Sequence, residues 1–144
     1  EFSNVIATDC EMMGLQPSRD PLCLIQLYDG EGDCHIIQFI DKIFNAPNLK
    51  KLLESDKTFI FHFARHDMAA IKHDLKIMIK NVYCTKISSK IARTYSQGHS
   101  YRDLCKEKNI DFYIMYGQSE GTARLSYLSP KYIILSYLAF PLTF

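Results

Sequence analysis

A run of β-branched and apolar residues, Val5-Ile6-Ala7-Thr8, ends directly in Asp9-Cys10-Glu11. The run reads as a buried strand. Side chains alternate along a strand, so Asp9 and Glu11 share one face while Cys10 points to the other. Two carboxylates side by side at a buried strand end repel each other and lose hydration. A divalent cation neutralises such a pair, and Mg²⁺ and Mn²⁺ both prefer carboxylate oxygen. Two ordinary surface acids at a solvated strand end would account for the same tripeptide. The residues that follow have to decide.

Beyond Glu11, Gly14 and two prolines make residues 14–21 a loop. Leu22 to Tyr28 is a second strand and Cys34 to Phe39 a third, antiparallel to it across a turn containing Asp29-Gly30. Pro47-Asn48 opens a helix over Leu49 to Glu54, with Leu49, Leu52 and Leu53 on one side. Thr58 to Phe61 is a short buried strand, followed by a helix over His66 to Leu75. Val82-Tyr83-Cys84 is another strand. Thr85 is placed to N-cap a helix over Lys86 to Tyr95, whose Ile87, Ile91 and Tyr95 fall on one face. Ser100 is placed to cap a last helix through Lys106. The order βββαβαβαα predicts an α/β domain with a mixed central sheet flanked by helices.

The 144 residues suit one domain with a substantial core, and the formal net charge of +1 gives no global footprint for nucleic acid. Cys10, Cys23, Cys34, Cys84 and Cys105 form no C-x-x-C pair, which predicts free thiols, no disulfide and a reducing, cytoplasmic compartment. Residues 121–144 differ in kind: they contain no Asp or Glu, and only Arg124 and Lys131 carry charge. Pro130 and Pro141 interrupt that stretch too often for a membrane span of about 20 apolar residues.

A third acid, Asp67, falls in the first turn of the helix after Thr58–Phe61. A helix dipole alone would favour an acid there. In α/β sheets, however, strand ends and helix starts open on one crevice, so Asp67 is placed to face Asp9 and Glu11.

These segments resemble a known family. Val5-Ile6-Ala7-Thr8-Asp9-Cys10-Glu11-Met12-Met13-Gly14-Leu15 resembles the first motif of the DEDD 3′–5′ exonucleases, and within them the ribonuclease D-like branch. Leu22-Cys23-Leu24-Ile25-Gln26-Leu27-Tyr28 resembles that branch's second strand, and Phe61-His62-Phe63-Ala64-Arg65-His66-Asp67 its second motif. Val82 to Ile87 and Tyr101 to Cys105 are similar to the helical region that follows. The likeness covers roughly residues 4–118.

The resemblance implies a ribonuclease H-like fold and hydrolysis of RNA 3′ ends by two divalent ions, Mg²⁺ or Mn²⁺, ~3.5–4 Å apart. It implies that Asp9 bridges both ions, that Glu11 ligates the first and that Asp67 holds the second through water. It also implies that Met12, Leu15 and Phe63 line the pocket for the terminal nucleotide; core or loop packing is the competing role for these apolar side chains. Single-stranded RNA is the implied partner, with DNA as the alternative, because 2′-OH contacts are not legible here.

The third motif departs from the family. It should read Tyr-x-x-x-Asp or His-x-x-x-Asp near the end, but no acid follows Glu120. Tyr132-Ile133-Ile134-Leu135-Ser136 has the spacing with a neutral Ser in the acid's place, a poor metal ligand. Residues 1–120 are therefore assigned to the exonuclease domain, incomplete at its C-terminus. Residues 121–144 are read as an atypical tail produced by a frame change, truncation or divergence. A catalytically inactive remnant that binds nucleic acid is the rival function.

Three other patterns carry less. Lys86, Lys90 and Arg93 share a helix face suited to phosphates or simply to solvent. His62, His66 and His73 with Asp67 and Asp74 superficially match an all-helical HD phosphohydrolase, which the strand at Thr58–Phe61 argues against. Asp103 and Glu107 read as a solvated acidic pair.

Overall fold

The computed structural model describes residues 2–110. Its elements follow the order βββαβαβαα: β1 (Val5–Met12), β2 (Leu22–Tyr28), β3 (His35–Gln38), α1 (Pro47–Leu53), β4 (Thr58–Phe61), α2 (Arg65–Asp74), β5 (Val82–Cys84), α3 (Thr85–Ala92) and α4 (Tyr101–Glu107). The third-motif segment and the tail lie outside the described residues.

The sheet runs β3-β2-β1-β4-β5. β1, β2 and β3 form an antiparallel meander, and β4 and β5 join β1 in parallel through the α1 and α2 crossovers. This is the mixed sheet expected, with the ribonuclease H-like order. Alternation sorts the strands between two faces. Ile6 and Cys10 of β1, Ile25 and Leu27 of β2, and Phe59 and Phe61 of β4 turn one way. They pack with Leu49 and Leu53 of α1 and with Ala70 and Ile71 of α2. On the other face Ala7, Tyr28 and Ile60 form a small group against which Tyr101 of α4 packs.

Several boundaries differ from the sequence reading for physical reasons. β1 does not stop at Thr8 but carries Asp9, Cys10 and Glu11 within the strand, paired with Gln26, Ile25 and Leu24 of β2. α1 starts at Pro47 itself, whose missing N–H costs nothing at the first helical position. α3 begins at Thr85, with Cys84 rather than Thr85 as its N-cap. The Thr85 hydroxyl is used elsewhere: it donates to the Phe61 carbonyl at 3.2 Å.

α3 also turns a different side inward. Ile87 and Ile91 are 55% and 71% exposed, and Tyr95 lies beyond the helix end. Thr85 and Ser89, four residues apart, are the buried pair. Ser100 does cap α4, in a reciprocal arrangement with Asp103. Asp103 and Glu107 are not an idle solvated pair, since Asp103 serves that cap and Glu107 accepts Arg93 at 3.1 Å.

Among the described residues no two cysteines form a disulfide. Among the described residues no helix is long and apolar enough to cross a membrane.

Candidate active site

β1 outruns its parallel neighbour. Its pairing with β4 ends at Ala7 opposite Ile60, while its pairing with β2 continues to Met12. The β4-facing edge of β1 beyond Ala7 therefore has backbone groups open to side chains. Asp67, in the first turn of α2, fills that place. Its buried carboxylate receives the backbone N–H of Cys10, the Cys10 thiol and its own N–H.

Asp9 sits on the same edge, and the Cys10 N–H also donates toward its carboxylate. Burial raises the Asp9 carboxyl well above the usual carboxylate range, and the charges of Asp67 and Glu11 raise it further. Burial pushes Asp67 up to about 7, with the donated hydrogen bonds opposing and Glu11 adding to the rise. Asp9, Glu11 and Asp67, the three acids picked out from the sequence, thus meet at the end of β1. They form an electrostatically coupled group rather than a closed cage: among the described residues no three His, Cys, Asp or Glu side chains converge to hold one ion.

Cys10 has a role that its apolar reading missed. It points away from Asp9 and Glu11, as alternation requires, but on that side its thiol joins Asp67 rather than lying idle in the core. Burial and the three neighbouring acids hold the thiol protonated, well above its ordinary range. A protonated thiol is a donor, which suits a buried carboxylate.

The apolar candidates separate. Met12 packs partly against the core. Leu15 is 75% exposed on the loop after β1. That loop is pinned by Asp20, which accepts the Gln16 N–H at 3.0 Å and the Arg19 guanidinium at 2.7 Å. Any larger residue at Gly14 would have to displace the Asp20 carboxylate, which a Cβ there would strike. Phe63 is 48% exposed and adopts a φ of 66°, a conformation costing an aromatic residue roughly 1–3 kcal/mol. Its ring carries the Lys86 ammonium at 4.3 Å.

Behind the second motif, His62 Nδ1 lies 2.9 Å from the Thr85 hydroxyl. That hydroxyl spends its proton on the Phe61 carbonyl, so the imidazole N–H is the donor to Thr85. Burial and the Lys86 charge lower His62 to about 4, leaving it neutral. Tyr101 meets its ring edge-on at 5.6 Å. His73 and Asp74 bond to each other, and Asp74 accepts the Leu22 N–H at 2.7 Å. They tie α2 to β2 and have no part in a metal phosphohydrolase centre.

The family model for 3′–5′ exonuclease matches residues 1–124. The chain belongs to the 3′–5′ exonuclease family. A structure described as the apo form of the nuclease is 33% identical, at a TM-score of 0.85 over 96% of this chain and 70% of its own. NrnC of Brucella melitensis is 40% identical, at a TM-score of 0.76 over 86% of this chain and 62% of its own. NrnC has also been solved with bound Mg²⁺ and bound to pGG. The catalytic core of RRP6 from Trypanosoma brucei, 17% identical with a TM-score of 0.71 over 94% of this chain and 37% of its own, shares the fold. This chain spans between 62% and 70% of the length of the first two nucleases. No match was found among curated proteins.

The residues at the end of β1 fit the divalent cation that exonucleases of this family imply. The donors are carboxylate oxygens, which hard cations prefer. Their mutual repulsion calls for positive charge. Opposite Asp9 in register, the buried Oε1 of Gln26 has no hydrogen-bond partner among the described residues.

Proposed function

We propose that this chain is a ribonuclease D-type 3′–5′ exonuclease domain, over residues 1–120, that trims single-stranded RNA ends with Mg²⁺ or Mn²⁺ at Asp9, Glu11 and Asp67. The observation that carries this reading is the electrostatic coupling of the acids at one strand end: beyond burial, Asp67 and Glu11 disfavour the charge of Asp9, and Glu11 disfavours that of Asp67. When bound, a pair of divalent cations would sharpen a water for attack on the terminal phosphodiester and stabilise the departing 3′ oxygen.

The chain's own residues supply the rest. Asp9 and Glu11 offer their oxygens from one strand face, and Asp67 reaches the same edge from α2. The Cys10 N–H and thiol orient Asp67, so its carboxylate is held before any cation arrives. Leu15 and Phe63 are exposed on the segments that follow β1 and β4. They suit packing against a terminal base without reading its identity, with Met12 beneath. The NrnC structures with Mg²⁺ and with pGG support both the cation and the ligand class. That none of the five cysteines forms a disulfide among the described residues supports a cytoplasmic setting.

A second reading, an inactive remnant, is favoured by one observation: residues 121–144 hold no acid, and the Tyr132–Ser136 spacing within them carries a neutral Ser. A 5′-labelled RNA oligonucleotide incubated with the chain and Mn²⁺ separates the two. The exonuclease reading expects a ladder shortening from the 3′ end, abolished by chelator and by Asp9→Asn. Intact RNA at every Mn²⁺ concentration establishes the remnant, and faster trimming of the matched DNA establishes a DNA exonuclease.

A further inference from the structure

Gln26 lies opposite Asp9 in the β1–β2 pairing. It is 7% exposed, and its Oε1 is the buried side-chain polar atom among the described residues that finds no hydrogen-bond donor. Leaving such an acceptor dry is costly, whereas an apolar side chain of the same shape would cost nothing. The flanking residues Ile25 and Leu27 show that β2 readily carries apolar side chains.

Its register says which residues share its face. Gln26 is the antiparallel partner of Asp9, directly opposite it in register. Residues so paired share a sheet face, with Cβ atoms roughly 4.5–5.5 Å apart. Gln26 is therefore on the side of Asp9 and Glu11, away from the apolar layer built on α1 and α2. An ionised carboxylate in that place is an acceptor only, so once Asp9 carries its charge it cannot satisfy the amide oxygen. Water attached to a cation can, because it directs its hydrogens outward, and Mg²⁺ characteristically keeps several such waters.

We propose that Gln26 is a positioning residue of the acidic site: its Oε1 accepts a hydrogen bond from a water carried by a divalent cation at Asp9. The inference rests on the exonuclease reading of that site. Gln26 makes no bond to substrate in this role; it orients a coordinated water and so favours cation binding at Asp9. Outer groups of this kind tune metal affinity by about 10–100-fold.

Mn²⁺ titration of the full chain, followed by electron paramagnetic resonance, tests this without any activity assay. Thermal melts of the metal-free protein accompany it. Gln26→Met keeps the shape and removes the acceptor; Gln26→Glu keeps the acceptor. The expected result is an Mn²⁺ dissociation constant about tenfold weaker for Gln26→Met, with a metal-free melting temperature equal to or above that of the parent. Gln26→Glu should bind Mn²⁺ at least as tightly as the parent.

Unchanged Mn²⁺ affinity in Gln26→Met overturns the proposal. If Gln26→Met melts lower and also binds weakly, the Glu variant decides: restored affinity upholds the proposal, and weak binding there overturns it. Asp9→Asn distinguishes this failure from a failure of the exonuclease reading. A parent chain that binds no Mn²⁺, or whose Mn²⁺ affinity survives Asp9→Asn unchanged, removes that reading and this inference together.

Discussion

The two faces of the sheet begin from the same strands and end in opposite uses. On one, Ile6, Ile25, Leu27, Phe59 and Phe61 meet Leu49, Leu53, Ala70 and Ile71 in a continuous apolar layer. On the other, Asp9 and Gln26 stand opposite each other beside Glu11, and the apolar group shrinks to Ala7, Tyr28 and Ile60 with a few neighbours. The first face stabilises the fold, at about 25 cal/mol for each Å² of apolar surface buried. The second works against it, because acids whose charge burial disfavours are kept there. Strand alternation makes this division possible: one residue along β1 separates the Cys10 side from the Asp9 side. Cys10 then links the two, since its thiol holds Asp67 from beneath.

The largest effect should come from cutting that link's acid. Asp67→Asn is expected to lower metal-dependent turnover by more than ~100-fold, beyond the loss that follows when only an outer partner is removed. The same change should raise the melting temperature of the metal-free protein at pH 8, where Asp67 would otherwise be forced to carry charge in a buried place. Single-turnover trimming of labelled RNA and thermal melts read the two effects. A variant that loses both stability and activity would show Asp67 to be structural.

The apolar face predicts the reverse pairing. Leu53 is fully buried between α1 and the sheet. Leu53→Ala should cost about 2–5 kcal/mol in urea unfolding while leaving Mn²⁺ affinity of the folded protein unchanged. A weakened Mn²⁺ affinity would show that the two faces are not independent.

How much of this the sequence discloses follows the same division. The element order is legible because β-branched runs and turn residues mark strands locally, and the acids are legible because charges at the end of an apolar run are conspicuous. What stays hidden depends on tertiary contacts. Nothing local says that β1 continues past β4, which is what exposes the Cys10 N–H to Asp67. Gln26 sits in an apolar strand where a single polar residue looks incidental; its meaning comes from register with Asp9. Thr85 has the look of a helix cap, and its hydroxyl instead joins His62 to the Phe61 carbonyl. For Phe63, a positive φ cannot be read from an aromatic residue at all.

A smaller effect tests the acidic face as a whole. The Asp67 carboxyl rises from its ordinary value near 3.8 to about 7 in the fold, and Asp9 shifts in the same direction. A raised folded-state pKa means the native protein binds more protons than the unfolded chain between those values. Stability from these groups is thus complete below about pH 4 and is lost as pH rises toward about 7. Metal-free protein should unfold at progressively lower urea across that window. Saturating Mg²⁺ or Mn²⁺ should flatten the slope, because the cation favours the ionised acids. An equal slope with and without metal would mean the acids do not share a cation site.

The smallest effect concerns α3, where the apolar periodicity is real but marks the outward side. Ile87, Ile91 and Tyr95 recur every four residues, a spacing that normally marks a buried stripe. The helix instead turns Thr85 and Ser89 inward, because both hydroxyls have partners there. Thr85 meets Phe61 and His62, while Ser89 meets His99 at 2.9 Å and receives the Arg93 guanidinium at 3.0 Å. Satisfied hydroxyls can be buried at little cost, so the polar side wins the inner position. If the domain is held as described, Ile91→Lys should change urea stability by no more than about 0.5 kcal/mol, the range for exposed sites. A loss of several times that amount would show Ile91 to be covered in solution, and the orientation of α3 would have to be redrawn. Ser89→Ala makes the opposite demand: it leaves His99 and Arg93 short of a partner and should cost about 1–3 kcal/mol.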